Sequence, residues 1–330
     1  MTDRMVRRGS AVEGGFSYGG AVVAMLIISV VMSLLPFERG SAARVAASYI
    51  GTVLLQLCFL LAAIIPYKGT RARPRYGFTR PTARAALVAP AVAAISIVAF
   101  YGIAMLFGGF LSYIGYKSSG GTDMTSPVGI TMAIVISVIL APVCEESLFR
   151  SSHLSSLGVM LGRRKLFFRT LAMTVIGGAV FAFMHCRPEQ TVYQFFFGGA
   201  LVYLTIKTGT VIPAVLAHAT NNIIGIILAI PAVSGGVSAA ETAALGSAAG
   251  IAVTVIASVV LCVAGVFVIR VIVRRVGKCD AAPSFTTVDL DGGAGYSDDG
   301  GTVAGVVFTV LSLAVCVALW TITLVAGIAS

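Results

Sequence analysis

Ala141-Pro142-Val143-Cys144-Glu145-Glu146-Ser147-Leu148-Phe149-Arg150 follows directly on an uncharged apolar run, 128–140. Two carboxylates therefore stand side by side where a membrane-crossing helix should carry no charge. An ionisable group at that depth costs on the order of a few kcal/mol and marks a functional site by default. Arg150 comes four residues after Glu146, which puts the pair on one helical face in the favourable acid-before-base order. Glu145 points about a quarter-turn away and is left out of that pair.

Composition sets the solvent. The chain of 330 residues is 58% hydrophobic and only 11% charged, with mean hydropathy +0.97, and its apolar runs repeatedly reach the roughly 20 residues that cross a bilayer as a helix. These runs are 17–36, 46–66, 85–114, 128 to about 145, 170–186, 191–206, 211–230, 250–273 and 302–329. The fold class is accordingly all-α, a polytopic membrane bundle of about eight or nine transmembrane helices. The first run is long enough to stay as an anchor. Six cysteines, with no CxxC pair and mostly inside apolar runs, point to neither a disulfide framework nor a zinc ribbon.

The net charge of +10 suggests a nucleic-acid binder until its distribution is read. With the N-terminus in the cytoplasm, 19 basic residues fall inside and four, Arg39, Arg44, Lys117 and Arg187, fall outside. That bias follows the positive-inside rule and makes the charge a topology signal, with the lipid bilayer and not nucleic acid as the partner. A multi-pass protein of the cell membrane is expected. Along the chain, 1–127 holds N-terminal transmembrane helices, 128–230 a core carrying the chemistry, and 231–330 C-terminal helices. A mobile acidic linker is expected at about 278–301, where five of the thirteen acids lie among Gly and Ser. Arginines, prolines, Tyr76 and Phe78 between 71 and 84 read as an interfacial loop or short surface helix, or equally as a plain cytoplasmic loop.

Other groups capable of chemistry lie downstream. Phe181 and His185 stand at i and i+4 near the end of one run, and His218 and Asn222 at the same spacing early in another. Of thirteen acids only Glu145 and Glu146 fall within apolar runs, as do two of only three histidines. Each feature has a structural alternative: Glu146 and Arg150 as an ion pair fixing the helix, His185 as a satisfied helix-end residue, His218 with Asn222 as interhelical hydrogen-bonding glue. Phe181 reads as packing against His185 or substrate, and His153 as a polar helix-end residue.

In order and separation, Glu145-Glu146-xxx-Arg150, Phe181-xxx-His185 and His218-xxx-Asn222 resemble the motifs of the CPBP membrane proteases, also called the Abi family. That family includes the type II CAAX prenyl endopeptidases. The likeness spans roughly 128–230, about a third of the chain, and a ninth span departs from the family's usual eight-helix core. The resemblance implies a glutamate-type intramembrane endopeptidase without a cofactor, acting on a peptide or protein substrate, prenylated or plain. Glu145 would correspond to the carboxylate that activates water with His185. His218 and Asn222 would correspond to the oxyanion-stabilising pair, with Glu146, Arg150 and Phe181 in support.

The residues alone leave rivals open. Glu145, His185 and His218 also make a familiar zinc donor set with an open water position, although HExxH is absent. A non-enzymatic membrane immunity or interaction protein would use the same cluster to hold helices together. A proton-coupled transporter would use it as a relay, but no inverted repeat is visible. One geometric difficulty attends the peptidase reading: simple vertical helices put His185 and His218 at different depths.

Overall fold

Without water to satisfy backbone polar groups, uncharged runs this long close their hydrogen bonds internally and become helices. A computed structural model describes residues 7–8, 11–38, 40–70, 72–118, 123–162, 165–276 and 299–330. Ten helices follow one another among the described residues: α1 (Ala11–Leu34), α2 (Ala42–Ile64), α3 (Ala83–Tyr113), α4 (Pro127–Met160), α5 (Leu166–Met184), α6 (Thr191–Thr208), α7 (Ile212–Ala229), α8 (Pro231–Leu245), α9 (Ala248–Arg274) and α10 (Asp299–Ala329). Capping residues start several of them. Ser41, Thr82, Ser126 and Ser247 accept the backbone N–H three residues on, at 3.2, 3.2, 3.0 and 3.0 Å.

Eight helices are long and apolar enough to cross a membrane: all but α6 and α8. The sequence reading counts 191–206 as one of nine spans; the helix exists, but its faces are taken by protein. Phe197, Leu201, Leu204 and Thr205 are fully buried, so α6 has little need of a lipid-compatible surface. It runs back antiparallel to α5, and glycines set how closely. A Cβ on Gly178 would meet the Phe195 carbonyl oxygen at 2.6 Å, and one on Gly177 would meet Val202 at 2.8 Å. The helix α8 occupies ground that the run pattern leaves between spans. Of the expected linker, 278–298 lies outside the described residues, and Asp299 already opens α10.

The segment after α2 is not a surface helix. Ala72–Arg73 pairs as a short parallel strand with Arg7–Arg8, and Tyr76 is buried beneath the end of α4. There Ser151 Oγ donates to the Tyr76 carbonyl at 2.6 Å, and the Arg75 N–H donates to Ser155 Oγ at 2.8 Å. The Val211 N–H reaches the Gly77 carbonyl at 3.0 Å, tying the same strap to the turn between α6 and α7.

The helix α4 is not a plain α-helix. Two stretches, Ile134–Leu140 and Ser147–His153, are wound as π-helix on either side of Ala141–Glu146. Pro142 supplies a reason for the first: it lacks an N–H, and its ring pushes away the carbonyl of the preceding turn. The Ala141 N–H accordingly donates five residues back, to Ile136. The residue five after Ser137 is Pro142, so the Ser137 carbonyl loses the partner a π-turn would give it.

Candidate active site

Glu145 and Glu146 lie at the end of the regular turn between the two π-stretches, and both are buried. Their side chains diverge as the helical spacing demands. Glu146 Oε2 lies 2.9 Å from Arg150 Nε, the i,i+4 ion pair expected from the sequence, with both side chains fully buried. Its other oxygen, Oε1, is 2.8 Å from His218 Nδ1. Because a carboxylate only accepts, the His218 proton on that side is on Nδ1.

Arg150 has an unusual seat for a membrane interior. Its guanidinium stacks 4.3 Å from the centre of the Phe181 ring and donates to the Gly198 carbonyl at 3.2 Å. A side chain on Gly198 would strike the Phe181 ring at 2.9 Å, so this glycine gives Phe181 room on the α6 backbone. Phe181 is the hub of the cluster: its ring centroid is 4.9 Å from that of His185 and 5.8 Å from that of His218. The difficulty over depth is thereby resolved, since one aromatic ring touches both histidines. They come from opposite ends of their helices, His185 capping the C-terminus of α5 and His218 standing two turns into α7.

His185 Nδ1 lies 2.8 Å from the Phe181 carbonyl. The carbonyl only accepts, so Nδ1 carries the proton, and in the neutral ring Nε2 is a bare lone pair. The Glu145 carboxylate, the His218 ring and the Arg150 guanidinium all lie within electrostatic reach of His185. Asn222 is half-buried, and its Nδ2 donates to the Ser137 carbonyl at 2.7 Å, the carbonyl left over by the π-turn and Pro142. Its Oδ1 accepts from Asn221 Nδ2 at 3.2 Å, and Asn221 in turn accepts from the Tyr193 hydroxyl. Asn221, to which sequence reading gives no role, is thus part of the clamp that orients Asn222.

One residue escapes sequence reading altogether. Gln56, in the middle of α2, is 6% exposed and donates Nε2–H to Glu145 Oε1 at 2.8 Å. Glu145 is therefore not free, as the helical wheel of α4 alone suggests. A single neutral amide in an apolar run carries no motif; the available signal is that a buried amide needs a partner. His153, the third histidine, is buried with its ring 5.1 Å from that of Tyr18. Among the described residues no three His, Cys, Asp or Glu side chains gather closely enough to hold a metal ion. A zinc site made from Glu145, His185 and His218 would require them to move.

The last helix belongs to the site's surroundings. Trp320 of α10 donates to Thr191 Oγ1 at 2.7 Å, and its ring lies 5.9 Å from Phe183, beside His185. Outside the membrane spans, Glu189 accepts from Tyr116 and Ser118, each at 2.7 Å, and pairs with Arg187 at 2.8 Å. Burial works against its charge, but the Ser118 and Tyr116 hydrogen bonds and Arg187 hold the Glu189 carboxyl below the usual range.

Searches of curated proteins and of solved structures found no match to the chain. Residues 127–224 match the family model described as Type II CAAX prenyl endopeptidase Rce1-like. The matched segment runs from the start of α4 to Ile224 and Asn222 sits near its end, so it takes in every motif residue from Glu145 to Asn222, while Gln56 and α10 lie outside it. Over that segment the chain is similar to the Rce1-like type II CAAX prenyl endopeptidases, which is consistent with a CPBP-family protein and supports a CAAX-type intramembrane protease in general.

Proposed function

We propose that the chain is an intramembrane endopeptidase of the glutamate type, hydrolysing a peptide bond with water activated by Glu145 and His185. The observation that carries this reading is the convergence on Phe181 of His185, His218 and Arg150, with Glu145 in electrostatic reach of His185. Water gives a proton to Glu145 as its oxygen bonds to the scissile carbonyl carbon. The resulting oxyanion takes the second Nδ2–H of Asn222, whose first is spent on Ser137. It also takes Nε2–H of His218 when that ring is doubly protonated, a cation that Glu146 faces from 2.8 Å. Such donors are each worth roughly a few kcal/mol to the transition state. Collapse breaks the C–N bond, and the leaving amine receives the proton relayed from Glu145 through His185 Nε2. The products are one new carboxyl and one new amine.

A cleft of about 490 Å³ lies between α2, the strap that follows it and α4, lined by Leu60, Ile64, Phe78 and Val143 with Ser147 and Ser151. The apolar lining favours a peptide tail bearing a lipid, prenyl groups included, while the serine hydroxyls offer hydrogen bonds to its backbone. The basic segments support a cell-membrane protein with its N-terminus in the cytoplasm and cleavage near the cytoplasmic leaflet.

Purified protein incubated with prenylated and plain peptides tests the reading. Wild type is expected to cleave at least one class and to keep its rate in the presence of chelators, while folded His185→Ala loses about a hundredfold or more in kcat. Inhibition by chelators that added zinc reverses would assign the chemistry to a metal. A folded wild type that cleaves nothing would leave the cluster as helix-holding scaffold.

A further inference from the structure

Gln56 and Glu145 form a pair with two atoms to spare. The amide donates to Glu145 Oε1 at 2.8 Å, and its orientation is fixed by chemistry, because the reverse would set carbonyl oxygen against carboxylate. Gln56 Oε1 and Glu145 Oε2 are then both buried and lack a hydrogen-bond partner among the described residues. A buried acceptor left without a donor has lost its hydration with nothing in return, and two on one joined side-chain pair mark a place built for a molecule with two hydrogens to give.

We infer that Gln56 is a positioning residue for the attacking water, which donates one hydrogen to Glu145 Oε2 and the other to Gln56 Oε1, turning an oxygen lone pair to the scissile carbonyl. This role rests on the peptidase reading above. In the step, the hydrogen held by Glu145 leaves as a proton while the oxygen forms its bond to carbon. The hydrogen held by Gln56 stays on the oxygen, and Gln56 neither gains nor loses a proton. The residue sits on α2, outside the segment matched by the family model. The first transmembrane helices accordingly supply part of the reaction geometry.

Two variants of the full-length protein, in detergent or nanodiscs, test the role on a peptide that wild type cleaves. Gln56→Leu is expected to lower kcat about a hundredfold with KM within about twofold, since orientation and not substrate contact is lost. Gln56→Glu, matched in shape, can bond to Glu145 only while the two carboxyls share a proton. Its rate is therefore expected to fall as pH rises over a range where wild type holds steady. A merely structural contact would not produce that profile. Wild-type kcat in Gln56→Leu, or a wild-type pH profile in Gln56→Glu, would overturn the role and leave the peptidase reading intact. A wild type that cleaves no peptide would overturn both. Should the leucine variant not fold, the glutamate variant alone decides.

Discussion

Arg150, Glu146 and His218 form a buried chain in which each member answers a cost imposed by the last. Arg150 is fully buried, with Glu146 as its partner carboxylate and the Phe181 face and Gly198 carbonyl as its other contacts. Removing one partner of such a pair costs about 3–5 kcal/mol, because the other charge stays buried uncompensated. Glu146→Gln should therefore lower unfolding stability by about that amount in denaturant titration. Adding Arg150→Met should recover much of the loss but not the activity, since His218 still lacks its carboxylate. A Glu146→Gln protein as stable as wild type would contradict the pairing. These charged side chains were legible in the sequence because charge at membrane depth is too costly to be incidental. Gln56 was not, because a neutral amide declares itself only through its partner, and that partner lies 89 residues away on another helix.

At the scale of the element, α4 works by being wound wrongly on both sides of its acidic turn. The π-turn at Ile134–Leu140 and the missing N–H of Pro142 together release the Ser137 carbonyl, which then fixes Asn222 from α7. π-turns recur at functional sites for this kind of reason: they free a backbone group and turn the following face. Pro142→Ala restores the N–H and removes the ring clash, so the helix should gain stability while Asn222 loses its anchor. The expected outcome is a raised melting temperature with kcat lowered about tenfold or more, checked by a thermal melt and single-turnover cleavage on one preparation. Unchanged kcat would show that the Ser137 contact does not orient Asn222. Run length and hydropathy reveal the existence of α4, but not its winding. Nor could they separate α6, sheltered by glycine-mediated contact with α5, from a lipid-facing span.

For the molecule as a whole, helices outside the family segment reach the polar cluster: α2 brings Gln56 to Glu145, and α10 brings Trp320 to the His185 end of α5. Outside the membrane spans, Glu189 ties Tyr116 and Ser118 to the turn before α6. Its carboxyl is held below the usual range despite burial, so the charged form favours the folded state. The sign follows: this stability is present above the ordinary Glu value of about 4.3 and is lost as pH falls from there through the lower folded value. Burial also pushes the Tyr116 hydroxyl up, to about 12, helped by Glu189, so it remains a donor throughout that range. Glu189→Gln should make the melting temperature less sensitive to acid below about pH 4 than it is in wild type; an identical acid limb in both would contradict the assignment. The central claim is that distant helices gather Glu145, His185, His218 and Asn222 about one reacting water. The most direct measurement is the cleavage rate of Glu145→Gln, which preserves shape and leaves Gln56 a carbonyl to bond. A folded Glu145→Gln protein is expected to lose kcat by about a thousandfold or more, and cleavage at the wild-type rate would contradict the account.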